Sequence, residues 1–109
     1  MENKKKIVAI DDEADIGALM KTILEQTGLF DVLTCEDGQK GFELCVNEKP
    51  DLVLLDFVMP KMNGNELIKS LRENPATQKI RIVLMSGLGR VKKDLAKDFI
   101  YAVRAVGRL

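Results

Sequence analysis

Three short apolar runs, each ending at an oxygen-bearing side chain, constrain this chain more than any other feature. Ile7-Val8-Ala9-Ile10 runs into Asp11-Asp12, Leu52-Val53-Leu54-Leu55 into Asp56, and Ile80-Arg81-Ile82-Val83-Leu84-Met85 into Ser86. Runs this short, rich in Val, Ile and Leu, read as parallel strands buried on both faces. In an open α/β sheet the ligand lies outside the carboxyl ends of such strands. The pattern therefore brings three carboxylates and a hydroxyl to one edge of one sheet.

Between these runs the spacing turns helical. Ile16, Leu19, Met20, Ile23 and Leu24 fall at i, i+3, i+4, i+7 and i+8, one buried stripe closed by Gly28 as a C-terminal cap. Asp31 to Cys35 is a shorter, more polar strand suited to a sheet edge. Asp37-Gly38 turns the chain into a second helix with Phe42, Cys45 and Val46 inward, and Lys49-Pro50 ends it. A third helix is expected near Glu66–Glu73, with Leu67, Ile68 and Leu71 inward, stopped by Asn74-Pro75. A fourth, after Gly87-Leu88-Gly89, carries Leu95, Phe99, Ala102, Val103 and Val106 on one face and ends near Gly107. The order is βαβαβαβα with short connections. Right-handed crossovers then predict an α/β, doubly wound parallel sheet in a single domain spanning residues 1–109.

Composition removes whole classes of function. Lys+Arg and Asp+Glu are both 17, so no net field favours nucleic acid or an anionic membrane. Lys4-Lys5-Lys6 reads as a solvated lead-in to the first strand. No apolar stretch approaches the roughly 20 residues needed to span a bilayer, and no signal-peptide core precedes Asp11, so a cytoplasmic chain is expected. Cys35 and Cys45 lack metal-ligand company and are expected to be reduced thiols. The chain has no histidine. That excludes His-based catalysis, histidine zinc sites and a phosphohistidine carrier role.

Asp11, Asp12 and Asp56 converge where their charges repel. Either their pKa values rise or a cation sits among them. Hard oxygen ligands without imidazole or thiolate suit Mg2+, or Mn2+ in its place. A hydrated Mg2+ beside a carboxylate is a setting for phosphoryl chemistry, with Asp56 able to act as the attacking nucleophile. The Ser86 hydroxyl, one strand over, can hydrogen-bond a phosphoryl oxygen. Each residue also has a plainer reading. Ser86 alone could satisfy a loop amide, and Asp11-Asp12 could be helix N-terminal acids favoured by the dipole. The latter suits Asp15 and Glu13 better than two acids directly after a buried strand.

With these pieces in view, the chain resembles the receiver domains of two-component response regulators. The resemblance rests on Val8-Ala9-Ile10-Asp11-Asp12-Glu13, Asp37-Gly38, Asp51-Leu52-Val53-Leu54-Leu55-Asp56, Met85-Ser86-Gly87 and, most specifically, the loop Asp56-Phe57-Val58-Met59-Pro60-Lys61-Met62-Asn63-Gly64. It implies a flavodoxin-like strand order 2-1-3-4. It also implies that Asp56 accepts a phosphoryl group from a histidine kinase or phosphotransfer protein. Asp12 and Asp56 would bind Mg2+ directly with the Val58 backbone carbonyl, Asp11 largely through water, and Ser86 would report phosphorylation to a surface read by a downstream protein partner. The result would be a phosphoacceptor switch, not a turnover enzyme.

The family also carries a fifth strand with a lysine before a proline, then a fifth helix. Here the sequence reaches Gly107-Arg108-Leu109 without that Lys-Pro, so strand 5 and helix 5 are expected to be missing or truncated. Self-association through an exposed strand at Ile80–Met85 is the corresponding expectation. Two alternatives stand beside the switch. A receiver-like interaction module without phosphorylation is favoured by the missing lysine and opposed by the intact acid cluster. An aspartate-nucleophile phosphatase of the haloacid dehalogenase type needs Asp-x-Asp after the first strand, where this chain has Asp11-x-Glu13.

Overall fold

A computed structural model describes residues 4–56 and 64–85. Within them the order is β1 (Lys5–Ile10), α1 (Ala14–Gln26), β2 (Phe30–Cys35), α2 (Gly38–Glu48), β3 (Leu52–Asp56), α3 (Gly64–Glu73) and β4 (Arg81–Met85). The strands form one parallel sheet in the order β2-β1-β3-β4. The fold class, the strand order and the edge position of β2 agree with the sequence reading. The loop carrying Val58 and the segment from Ser86 through the fourth helix lie outside the described residues, as does whatever flanks the far side of β4.

The two-residue period of a strand explains why the central runs are apolar throughout. Ile7, Ala9, Leu52 and Leu54 face one side and pack with Ile16, Met20 and Leu24 of α1 and with Phe30 and Val32 of β2. Val8, Ile10, Val53 and Leu55 face the other and pack with Cys45 of α2, Leu67 and Leu71 of α3, and Ile80. Among the described residues, one helix thus covers one face and two cover the other.

Local chemistry sets the helix ends. Gly28 takes φ +76° after the C-cap of α1, a left-handed geometry that glycine adopts without strain. Asp37 caps α2, its Oδ1 accepting from the amides of Gln39 at 2.7 Å and Lys40 at 3.4 Å. Lys49 closes that helix at φ 47°. After α3, Arg72 Nη1 donates to the carbonyls of Gln78 at 2.8 Å and Ile80 at 2.6 Å, tying the helix to the entry of β4.

Three expectations need adjustment. Ile80 is buried but precedes the strand, its amide donating to Thr77 O at 3.1 Å. The third helix begins at Gly64, two residues before Glu66. Leu19 is not part of the buried stripe of α1 and is 42% exposed, while Ile23 is only half-buried. The buried face turns instead towards Gly17, where a side chain would sit 3.6 Å from Thr34 Cβ, so helix and edge strand pack closely. At about 100° per residue, a face holding Ile16, Gly17, Met20 and Leu24 carries Leu19 past its rim.

Candidate functional site

Strand register builds the site. Ile10 lies opposite Leu55 across β1 and β3. The next residue of each strand, Asp11 and Asp56, therefore emerges side by side, and Asp12 follows. This is the crevice where the strand order reverses, β2 lying on one side of β1 and β3 on the other. One carboxylate oxygen from each of Asp11, Asp12 and Asp56 lies within 4.8 Å of the others. The three predicted acids are thus brought together.

Burial makes the cluster demanding. Asp11 is 2% exposed and Asp56 8%. Two full charges 4.8 Å apart cost about 3 kcal/mol at an effective dielectric of 20. Burial pushes the Asp11 carboxyl up to about 6, and the charges of Asp56 and Asp12 push the same way, while the hydrogen bond from the Glu13 amide opposes them. That bond, 2.9 Å from Glu13 N to Asp11 Oδ1, pins the turn into α1, where Glu13 holds the extended N-cap position without a side-chain cap of its own. Asp11 Oδ2 is buried without a hydrogen-bond partner among the described residues.

A buried, unpartnered carboxylate oxygen on a residue clustered with two more carboxylates is an arrangement that a hard divalent cation satisfies and water alone satisfies poorly. No other group of three or more acidic, His or Cys side chains suited to a metal occurs among the described residues. The donor set is all oxygen, as Mg2+ or Mn2+ requires. The residues present fit such an ion. Ser86 and Val58, the other two predicted contributors, lie outside the described residues.

Some of the site's support was not visible in the sequence. The α2 glycine Gly41 lies against Ile10, and a Cβ there would stand 2.7 Å from Ile10 Cδ1. Helix and strand therefore touch directly behind the residue that precedes Asp11. The lone Gly inside a helical stretch was the only hint. At the opposite end of the sheet, Asp51 and Lys6 lock β1 to the entry of β3. Lys6 N donates to Asp51 Oδ2 and Asp51 N to Lys6 O, both at 2.8 Å.

A parallel α/β sheet with this acidic crevice defines a class of domain suited to binding a cation among carboxylates. Sequence comparison gives the family. The chain belongs to the response regulator receiver domain family, whose model matches residues 7–105. Among its relatives, the alkaline phosphatase synthesis transcriptional regulatory protein PhoP of Bacillus subtilis is 44% identical over 63% of this chain and 28% of its own length. The probable transcriptional regulator ycf27 of Guillardia theta is 35% identical over 84% of this chain and 34% of its own. The chain thus spans about a quarter to a third of these two relatives. The probable chemotaxis protein CheY of Rhizobium etli is 30% identical over 79% of this chain and 67% of that protein.

Solved structures agree on the fold. Chemotaxis response regulator CheY4 of Vibrio cholerae superposes with a TM-score of 0.80 at 21% identity, covering 95% of this chain and 99% of that one. The N-terminal domain of a response regulator receiver protein from Methanoculleus marisnigri gives 0.72 at 28% identity, covering 89% and 77%. As a receiver domain the chain is a phosphoacceptor signalling module with an acidic pocket, rather than a turnover enzyme. Receiver domains are partners of histidine kinases in general. No helix among the described residues is long and apolar enough to cross a membrane.

Proposed function

We propose that Asp56 is the phosphoacceptor of a cytoplasmic two-component switch, taking a phosphoryl group from the phosphohistidine of a sensor kinase or phosphotransfer protein. The observation that carries this reading is the convergence of Asp56 with Asp11 and Asp12 at the switch point of the sheet, one oxygen of each within 4.8 Å. A carboxylate oxygen of Asp56 attacks phosphorus, the P–N bond to the donor imidazole breaks, and its electron pair returns to that nitrogen. Asp12 and Asp56, with the Val58 carbonyl, are the residues assigned to hold Mg2+ directly, and Asp11 through water. When bound, the ion would neutralise the oxygens of the transferring group.

Asp11 fixes the β1–α1 turn through Oδ1, and its unpartnered Oδ2 would be available to the ion's hydration shell. Ser86 is assigned to hydrogen-bond the new phosphoryl group. Its movement would bias the following segment between two arrangements that a downstream protein reads. The direct test is phosphorylation by a small phosphodonor with and without Mg2+, followed by mapping of the modified residue. Modification confined to Asp56 is expected. A phosphoryl group trapped on another residue would overturn the assignment.

A further inference from the structure

Among the described residues strand β2 closes one side of the sheet, and such an edge offers unpaired amides and carbonyls to any other strand. In a parallel ladder the N–H and C=O of a given residue point to the same side. On β2 the inward set is odd-numbered: Lys5 N donates to Leu29 O at 3.1 Å and Asp11 N to Cys35 O at 3.0 Å. Phe30, Val32 and Thr34 therefore turn their backbone groups outward, with Val32 at the centre.

Both groups of Val32 are occupied by side chains from α1. The Val32 amide donates to Glu25 Oε2 at 3.1 Å, and Lys21 Nζ donates to Val32 O at 2.6 Å. Lys21 and Glu25 also bridge each other at 3.0 Å. Phe30 and Thr34 carry no such side-chain bonds among the described residues. Any added strand that pairs continuously with two or more of these three positions must use Val32, where the bracket sits.

The pair contributes little as a stabilising feature. It is exposed, at 45% and 37% side-chain accessibility, where ion pairs contribute little. Its order, Lys before Glu at i and i+4, is the less favourable one for a helix. What it does contribute is specific to the strand: the Val32 amide first, and Lys21 second, hold the Glu25 carboxyl below its usual range.

We propose that Lys21 and Glu25 form an edge guard that blocks strand addition at β2 by a second copy of this chain. Two identical edges pair most simply about a two-fold axis. Here that axis passes beside Val32, which would exchange both hydrogen bonds with its own copy, with Phe30 opposite Thr34 on either side. The guard occupies the groups such a dimer needs.

The test is sedimentation of the chain carrying Lys21→Ala and Glu25→Ala together, both helix-compatible changes. Releasing two backbone hydrogen bonds for exchange should tighten self-association by about tenfold over the parent. Hydrogen exchange at the Val32 amide should quicken in the dissociated protein. Adding Thr34→Pro removes an outward N–H that β1 does not use, a substitution edge strands tolerate, and should return self-association to the parent's level. Thr34→Pro alone, folded by circular dichroism, serves as the control. An unchanged association constant in the double variant, or tightening that survives Thr34→Pro, would overturn the proposal. So would an unchanged exchange rate at Val32.

Discussion

The properties of one side chain, Asp11, make the pocket testable before any phosphoryl chemistry is attempted. Its carboxyl stands at about 6 in the fold against an ordinary value of 3.8, chiefly through burial. For an acid with a raised folded pKa, the folded state disfavours the charged form. The metal-free protein should therefore carry no penalty from Asp11 below about pH 4. It should lose stability as pH rises, and bear the full penalty, on the order of 3 kcal/mol, above about pH 6. Asp11→Asn keeps an acceptor for the Glu13 amide and removes the charge. It should raise the metal-free melting temperature at neutral pH, flatten that pH dependence, and weaken the stabilisation that Mg2+ gives the parent. Thermal melts across pH with EDTA or Mg2+ check this; a parent protein equally stable at pH 4 and 7 without metal contradicts it. Asp12→Ala, read by Mg2+ titration, should lose most metal binding while leaving that turn intact, because Asp12 does not hold it.

At the scale of elements, the pocket depends on how closely α2 approaches β1. Gly41→Ala places a methyl group against fully buried Ile10, 2.7 Å from Cδ1 before any shift. Overpacking of this kind costs typically 1–3 kcal/mol, and Ile10 leads directly into Asp11. Denaturant unfolding should show the loss, and Mg2+ titration should show weaker binding. Asp37→Ala removes a cap from the same helix and should cost about 1 kcal/mol without reaching the acids, so the pair separates a local packing effect from general destabilisation. Much at this scale was legible in the chain. Val8-Ala9-Ile10 and Leu52-Val53-Leu54-Leu55 announce two-faced burial, and the acid after each announces the carboxyl edge. Asp37 and Gly28 announce helix ends by their own chemistry. Leu19 falls outside the buried face because periodicity gives an apolar stripe but not its rotation, which Gly17 against Thr34 sets by contact. The bracket of Lys21 and Glu25 on Val32 and the reach of Arg72 to Ile80 were not legible. They depend on where separate elements end up, and no local pattern encodes that.

At the scale of the whole molecule, β1 leads into Asp11 and β3 ends at Asp56, and the parallel order makes those two carboxylates neighbours. With Asp12 beside them they form the acid cluster. In the proposed function this cluster makes Asp56 a metal-dependent phosphoacceptor. Intact mass after incubation with a small phosphodonor tests it most directly, on the parent and on Asp56→Asn, each with Mg2+ and with EDTA. The parent with Mg2+ should gain the mass of one phosphoryl group, lost on treatment with hydroxylamine as an acyl phosphate is. The parent with EDTA, and Asp56→Asn in either condition, should gain none while keeping a cooperative melt. Equal labelling of Asp56→Asn, or labelling of the parent that ignores Mg2+, would contradict it.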